Sequence, residues 1–350
     1  MPAAMARPHG AEIAKDVSKP RRPSTVEWPT VLLLLAVYGL FGLVTWLHAA
    51  LPIVAVVLAG GLLTALHGSL QHEAIHGHPT PWAWVHRLLI FPSLWLWVPF
   101  ETYRSSHLAH HRDERLTDPV DDPESFYMDP TVWRRMSRPA RLFFTAHNTL
   151  LGRLLLGPWL CVYRVIAAAV PRLARGERDA LVAWTLHGLS VALVLGWVIG
   201  LCGMPLWLYL LAFVYPGIAL TLLRSFAEHR AHPKVGRRTA IVEAGALFSL
   251  LFLNNNLHVV HHAEPGVPWY RLPARYRAGR RRYLRQNGGY LFADGYLEIV
   301  WRYLLSAKEP PAHPCLPSLT PAGLPKTGQL PTARTAGGQA EQPVPLAPER

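Results

Sequence analysis

The sequence predicts an all-α integral membrane protein with four transmembrane helices arranged as two hairpins. Three observations carry that expectation. Of 350 residues, 51% are hydrophobic and 16% charged, where soluble domains run nearer about 25% charged. Two runs, Trp28 to Gln71 and Ala180 to Leu223, hold no Asp, Glu, Lys or Arg and are 44 residues long each. One helix of that length would measure roughly 66 Å, about twice the hydrocarbon thickness, so each run reads as two passes. Finally, Leu51-Pro52 and Gly203-Met204-Pro205 stand at the midpoints of the runs, where a tight turn between paired helices is needed.

Taken in order, residues 1–27 are polar and basic, with Lys19, Arg21 and Arg22 ahead of the first apolar run. They read as a disordered N-terminus and lack the short apolar core and cleavage site of a signal peptide. The expected spans are 29–48, 52–71, 181–201 and 205–223, within a membrane domain covering 28–308. Leu88 to Phe100 is too short to cross and reads as an interfacial or re-entrant segment. Segment 141–172 carries Arg141, Arg153 and Arg164 among apolar residues and reads as helices lying in the interface. Ala244 to Ala263 is long enough to cross but contains Asn254, Asn255, Asn256 and three histidines. Crossing there would also strand the Arg-rich stretch 271–285 outside, so this segment is placed at the cytoplasmic face. Residues 309–350 are rich in Pro, Ala and Gly without periodicity and read as a disordered tail.

The net charge of +13 could suggest nucleic acid, but its placement points elsewhere. Of the 35 Lys and Arg, 5 precede residue 28, 13 lie between 72 and 179, and 17 follow residue 223. The two hairpin turns have none. With a cytoplasmic N-terminus, every basic segment falls on the cytoplasmic side, and no nucleic-acid partner is required. The cysteines, Cys161, Cys202 and Cys315, are too far apart for a CxxC pair, an iron–sulfur motif or a disulfide framework.

The 18 histidines are clustered. His72-Glu-Ala-Ile-His76, His107-Leu-Ala-His110-His111 and His258-Val-Val-His261-His262 repeat spacings of three and four, which on a helix aim several imidazoles at one point. Glu228-His229 follows the fourth expected span. All nine histidines lie at span ends or in segments placed on the cytoplasmic side. Neutral imidazole suits iron, zinc, copper or nickel, and nine ligands exceed what one ion takes, so two metals are implied. HEAIH alone also matches the zinc-protease helix HExxH, but that chemistry needs three ligands and leaves both HxxHH clusters unused. A zinc transporter would place its ligands mid-span. His67 and His187 do lie inside spans, where polar contacts or cavity lining explain them.

With these motifs assembled, the sequence resembles the membrane fatty acid desaturase superfamily, integral-membrane enzymes with three histidine boxes and a di-iron centre. The resemblance covers roughly residues 30–305 and rests on HEAIHGH, YRSSHLAHHRD with TDPVDDPESFY, RSFAEHRAH, and NNNLHVVHH followed by PWY. It implies ligation of two Fe ions by His72, His76, His107, His110, His111, His258, His261 and His262, with His229 as the additional histidine. His78 and His232 fall outside the ligand set. In animal relatives an Asn one turn before the extra histidine holds a metal through water. That position is Ser225 here, and Asn254, Asn255 or Asn256 could substitute. The resemblance further implies O2 as co-substrate and a lipid or acyl chain as substrate. No fused cytochrome b5 segment is present, so electrons are expected from a separate donor of ferredoxin, rubredoxin or cytochrome b5 type. Desaturation is the expected outcome; hydroxylation, ketolation or action on a non-acyl metabolite uses the same chemistry. Carboxylates are expected to orient imidazole N–H groups. Glu73, Asp113, Asp118, Asp121, Asp122, Glu124 and Glu228 are the candidates, with Glu228 favoured as catalytic because it adjoins a mapped ligand. Trp95, Trp97 and Trp269 could line a substrate channel.

Overall fold

Pro29 sits in the first turn of α1 (Trp28–Trp46), where its missing N–H would have had no helical partner anyway. Pro52 precedes α2 (Ile53–Ile75), and together they form the first hairpin. The computed structural model describes residues 23–316, apart from the side chain of Asp113; most of the expected basic N-terminus, and the tail from 317 on, lie outside the described residues. Next come α3 (Ala83–Leu89), a non-helical stretch, α4 (Phe100–His110), α5 (Pro130–Arg135), α6 (Arg138–His147) and α7 (Leu150–Ala174). Side chains cap the last three: Asp129 accepts from Thr131 and Val132, Ser137 from Ala140, and Thr149 from Gly152. The second hairpin is α8 (Arg178–Leu201) and α9 (Leu206–Glu228), each containing a π-helical turn. Beyond it lie β1 (Ile241–Val242), α10 (Ala246–Leu251), α11 (His258–Ala263), α12 (Leu272–Gln286), β2 (Leu291–Phe292) and α13 (Gly295–Tyr303). β1 and β2 pair in parallel, Ile241 opposite Leu291 and Val242 opposite Phe292.

The core is built around α2, which packs on both α1 and α9. The crossing of α2 and α9 depends on small residues: a methyl on Gly217 would lie 2.5 Å from Thr64 Cγ2. The two ends of the bundle can be told apart by their contacts. At one end, Trp269 Nε1 donates to Thr30 near the start of α1, and Glu27 pairs with His78 just past α2. At the other, Trp197 of α8 donates to Thr45 of α1. The C-termini of α2 and α9 lie at the first end, and both carry histidines there.

Among the described residues five helices, not four, are long and apolar enough to cross a membrane, because α7 qualifies with 25 residues. The arginines of this stretch instead predict helices lying in the interface. Arg153 and Arg164, three turns apart on α7, lie 3.8 and 5.4 Å from the centre of the same ring, Phe126. Arg164 also donates to the carbonyls of Ser125 and Pro123. α7 therefore runs along the loop 123–126 rather than away from it.

Segment 90–99 enters between the helices without crossing. Leu94, Trp95 and Val98 are buried, and Tyr209 of α9 donates to the Leu94 carbonyl. The Pro92 carbonyl accepts from Tyr38 of α1, and His187 of α8 meets the Leu96 carbonyl. Trp95 wedges against α2 where a methyl on Gly68 would come within 2.6 Å of its ring. Segment 244–263 forms α10, a tight turn and α11 rather than one long helix. Asn254 takes the left-handed conformation in that turn (φ 57°), which Asn tolerates better than most residues. Residues 311–313, within the expected tail, stay packed: Met128 donates to the Pro311 carbonyl and His313 to the Met128 carbonyl.

Candidate metal centre

The histidines reach one place because four chain segments end there. His72 lies in the last turn of α2 and His76 just past it, on the same face. α4 ends with His107 and His110, and His111 follows as its cap. α9 stops at Glu228, and His229 leaves it with extended dihedrals (φ −130°, ψ 152°). α11 opens on His258 and carries His261 and His262.

These nine side chains form two groups. His72, His76, His107, His111 and His261 make one; His110, His229, His258 and His262 make the other, and within each the candidate ligand atoms lie within 4.8 Å of one another. The groups adjoin, with the rings of His111 and His262 stacked 4.3 Å apart. Six Nε2 pairs face each other at 3.0–3.2 Å: His107 with His76 and His111, His110 with His229, His258 with His229 and His262, and His261 with His111. His72 Nε2 is buried without a partner.

The outer nitrogens explain why these inner ones suit metal. His107 Nδ1 donates to Glu124 (3.2 Å), His110 Nδ1 to Asp122 (2.9 Å), and His258 Nδ1 to Asn255 Oδ1 (3.0 Å), with Glu228 at 3.3 Å. A ring whose proton is held on Nδ1 presents a bare lone pair at Nε2. Nine imidazoles with Nε2 atoms crowded about 3 Å apart, three of the rings fixed as Nδ1–H, form a donor set that fits metal ions with nitrogen preference.

The titration behaviour agrees. Burial, then neighbouring imidazoles, holds His107, His111, His258 and His261 well below the ordinary histidine range. The same causes push His229 well down and bring His76 to about 3. These rings are neutral and available as ligands. His110 differs: burial opposes its charge, but Glu124 and Asp122 outweigh burial and raise it to about 9. Glu124 itself is pushed up to about 7 by burial.

The other residues singled out in the sequence take varied positions. Glu228 is buried, 3.0 Å from Arg224 Nε and beside the His258 ring. Asp122 and Glu124 lie against histidines, whereas Asp118 caps the backbone of Val120 and Asp121, and Asp121 pairs with Arg115 at the surface. Glu73 accepts from the Trp269 backbone, the wrong place for the base of an HExxH site. Of the three asparagines, Asn255 holds a histidine, while Asn254 and Asn256 donate to the Trp269 and Val242 carbonyls. Ser225 donates to Leu222 and lines a cavity of about 70 Å³ beside the four-histidine group. His78 is occupied by Glu27, His232 is half-buried and bonds the backbone of Lys234, and His67 meets Tyr38. Trp95 contacts Trp97 and Tyr103, and Tyr103 in turn contacts His107. Trp269 instead ties α1 to α2.

Two residues escaped the sequence reading. Arg224 is buried at the end of α9 and faces Glu228 at 3.0 Å. Its signal was visible: it is the first charge after a bare run, one helical turn from a glutamate. Lys308, at the expected edge of the domain, reaches into the site and bonds the His229 carbonyl.

The fold and the centre together define an integral membrane protein with two adjoining histidine clusters that could hold metal. Residues 45–293 match the fatty acid desaturase family model, and the chain belongs to that family. No curated protein matches the sequence. Membership makes the chain an oxidoreductase of a family that uses iron on lipid substrates.

Proposed function

We propose that this protein is an O2-dependent lipid desaturase whose two irons are held by five and four histidines, fed by electrons from a separate donor protein. The observation that carries the reading is the division of the nine histidines into two adjoining groups with Nε2 atoms turned inward. Two ferrous ions held there would supply, from dioxygen and donor electrons, the oxidising power needed to remove hydrogen from an unactivated methylene. The chain's own residues have the remaining tasks. Glu124, Asp122 and Asn255 fix the tautomer and direction of three rings. Glu228 holds His258 and offsets the charge of Arg224. Trp95 and Tyr103 close the bundle side of the centre against water.

The topology that fits is four crossing helices, α1, α2, α8 and α9, with α7 lying in the interface and the histidine end cytoplasmic. Both ends of α7 then remain on the histidine side, and the basic segments follow the positive-inside rule. Electrons are assigned an entry over α12. Arg277, Arg281 and Arg285 recur every fourth residue along it. All three are exposed, whereas Arg275 and Arg282 pair with Glu264 and Arg280 with Glu243. α12 packs directly on α11, which bears three of the nine histidines. An acidic donor suits that surface.

The test is lipid mass spectrometry of cells expressing the protein with a donor, against a His107→Ala, His111→Ala control. Loss of two hydrogens from an acyl chain is expected. A gain of one oxygen would reassign the chain as a hydroxylase, and an unchanged acyl profile would point to a non-acyl substrate.

A further inference from the structure

α9 ends in an unusual place, and the way its end is closed bears on the four-histidine group. A helix leaves its last carbonyls without helical partners. Here the carbonyls of Phe226, Ala227, Glu228 and His229 each meet a donor from elsewhere in the chain. Ala240 N–H donates to Glu228 (2.8 Å), and the Tyr290 hydroxyl donates to Ala227 (3.2 Å). The other two are taken by one group: Lys308 Nζ donates to Phe226 and His229, both at 2.6 Å. Its third donor meets the Tyr290 hydroxyl at 3.1 Å. An ammonium has three donors, and all three are used. The Phe226 and Tyr290 rings flank it at 5.5 and 5.9 Å, within cation–π range.

His229 needs this support more than its neighbours do. His107, His110 and His258 are each steadied at Nδ1 by a carboxylate or an amide oxygen. His229 Nδ1 is buried with no hydrogen-bond partner. Its Nε2 must nevertheless face both His110 and His258, each at 3.0 Å. With no side chain gripping the ring and only the backbone carbonyl of Arg238 acting on it, its direction is set chiefly by its own backbone, and Lys308 grips that backbone.

We propose that Lys308 is a positioning residue for the four-histidine metal site, acting through the carbonyls of Phe226 and His229 to aim the imidazole of His229. It touches neither metal nor substrate. The inference rests on the assignment of these histidines as metal ligands. Because the five-histidine group contains no residue that Lys308 bonds, loss of the ammonium should weaken one site and spare the other. Partners outside the ligand set typically change metal affinity by about 10–100-fold, and that is the loss expected at the four-histidine site.

The experiment compares full-length protein, Lys308→Met and Lys308→Arg, each loaded with 57Fe(II) in detergent and equilibrated with a competing chelator. Iron per chain and the Mössbauer spectrum are the readouts, neither of which depends on turnover. Wild type should hold two irons in two unlike environments. Lys308→Met should retain one, with one spectral component missing, and Lys308→Arg should recover much of the second because guanidinium can reach the same carbonyls. Two irons and both components in Lys308→Met would overturn the inference, as would equal loss of both components. Should Lys308→Met fail to fold, Lys308→Gln replaces it, and equal iron in the Gln and Arg variants would likewise overturn the inference. A wild-type protein that binds no iron would instead refute the functional reading, a distinguishable result.

Discussion

Replacing Asp122 with Asn should weaken one metal site and leave the other alone. The Asp122 carboxylate is buried, and its two oxygens accept three hydrogen bonds: Oδ1 from His110 Nδ1 (2.9 Å) and Glu124 N–H (2.9 Å), Oδ2 from Thr117 N–H (2.8 Å). Although burial favours its neutral form, His110 and the two backbone donors outweigh this and hold its pKa below the ordinary aspartate range. The site is thus built for a carboxylate. Asn keeps the shape but turns one acceptor into a donor, which must face either Thr117 N–H or His110 Nδ1–H. A buried donor left unpaired costs about 1–3 kcal/mol. A weakened grip on a ligating ring costs about 10–100-fold in metal affinity, or about 1.4–2.8 kcal/mol. In a chelator-competition titration with Fe(II), wild type should show two binding steps, and Asp122→Asn should weaken only the step belonging to the group containing His110. Two steps within about twofold of wild type would refute the argument that Asp122 orients His110.

Other consequences are equally direct. Gly217→Ala puts a methyl 2.5 Å from Thr64 Cγ2 and should destabilise the α2–α9 crossing by about 1–3 kcal/mol; an unchanged melting temperature in detergent would contradict that close approach. His147, held at about 2 by burial and then by Arg153 and Arg164, has a depressed folded-state pKa. Its contribution to stability is complete above about pH 6.5, the ordinary histidine value, and is lost as pH falls from there towards 2. His147→Asn should therefore flatten the acid limb of the metal-free protein's stability curve, and an identical limb would count against the assignment. Reversing Arg277, Arg281 and Arg285 to Glu should raise the KM for an acidic donor several-fold, most strongly at low ionic strength, with iron content unchanged. An unaltered, salt-insensitive KM would remove α12 as the docking surface.

Much of this was legible in the sequence because membranes and metals impose strong rules. A charge-free run of 44 residues has few homes other than a bilayer, and histidines at helical spacing declare a shared target before any contact is known. The short segment 88–100 was legible for the same reason: 13 residues cannot span, and the structure folds 90–99 inward against α2. What stayed hidden depends on distances between segments far apart in the chain. The five-and-four division separates His110 from its immediate neighbour His111, since adjacent residues at a helix end point in different directions. Asp122 and Glu124 looked like turn formers beside Pro123 until the loop was seen to fold back on α4. The α7 arginines argued for the interface while its length satisfies the requirement for a span, because periodicity measures what a helix can do rather than where neighbours hold it. Lys308 was invisible for a simpler reason: nothing local marks a lysine that bonds a carbonyl 79 residues away.

The central claim is a two-metal centre divided between five and four histidines. Iron analysis of the purified full-length protein, combined with Mössbauer spectroscopy, tests it most directly. The account predicts two irons per chain in two nitrogen-ligated environments. A single zinc with no iron would contradict it.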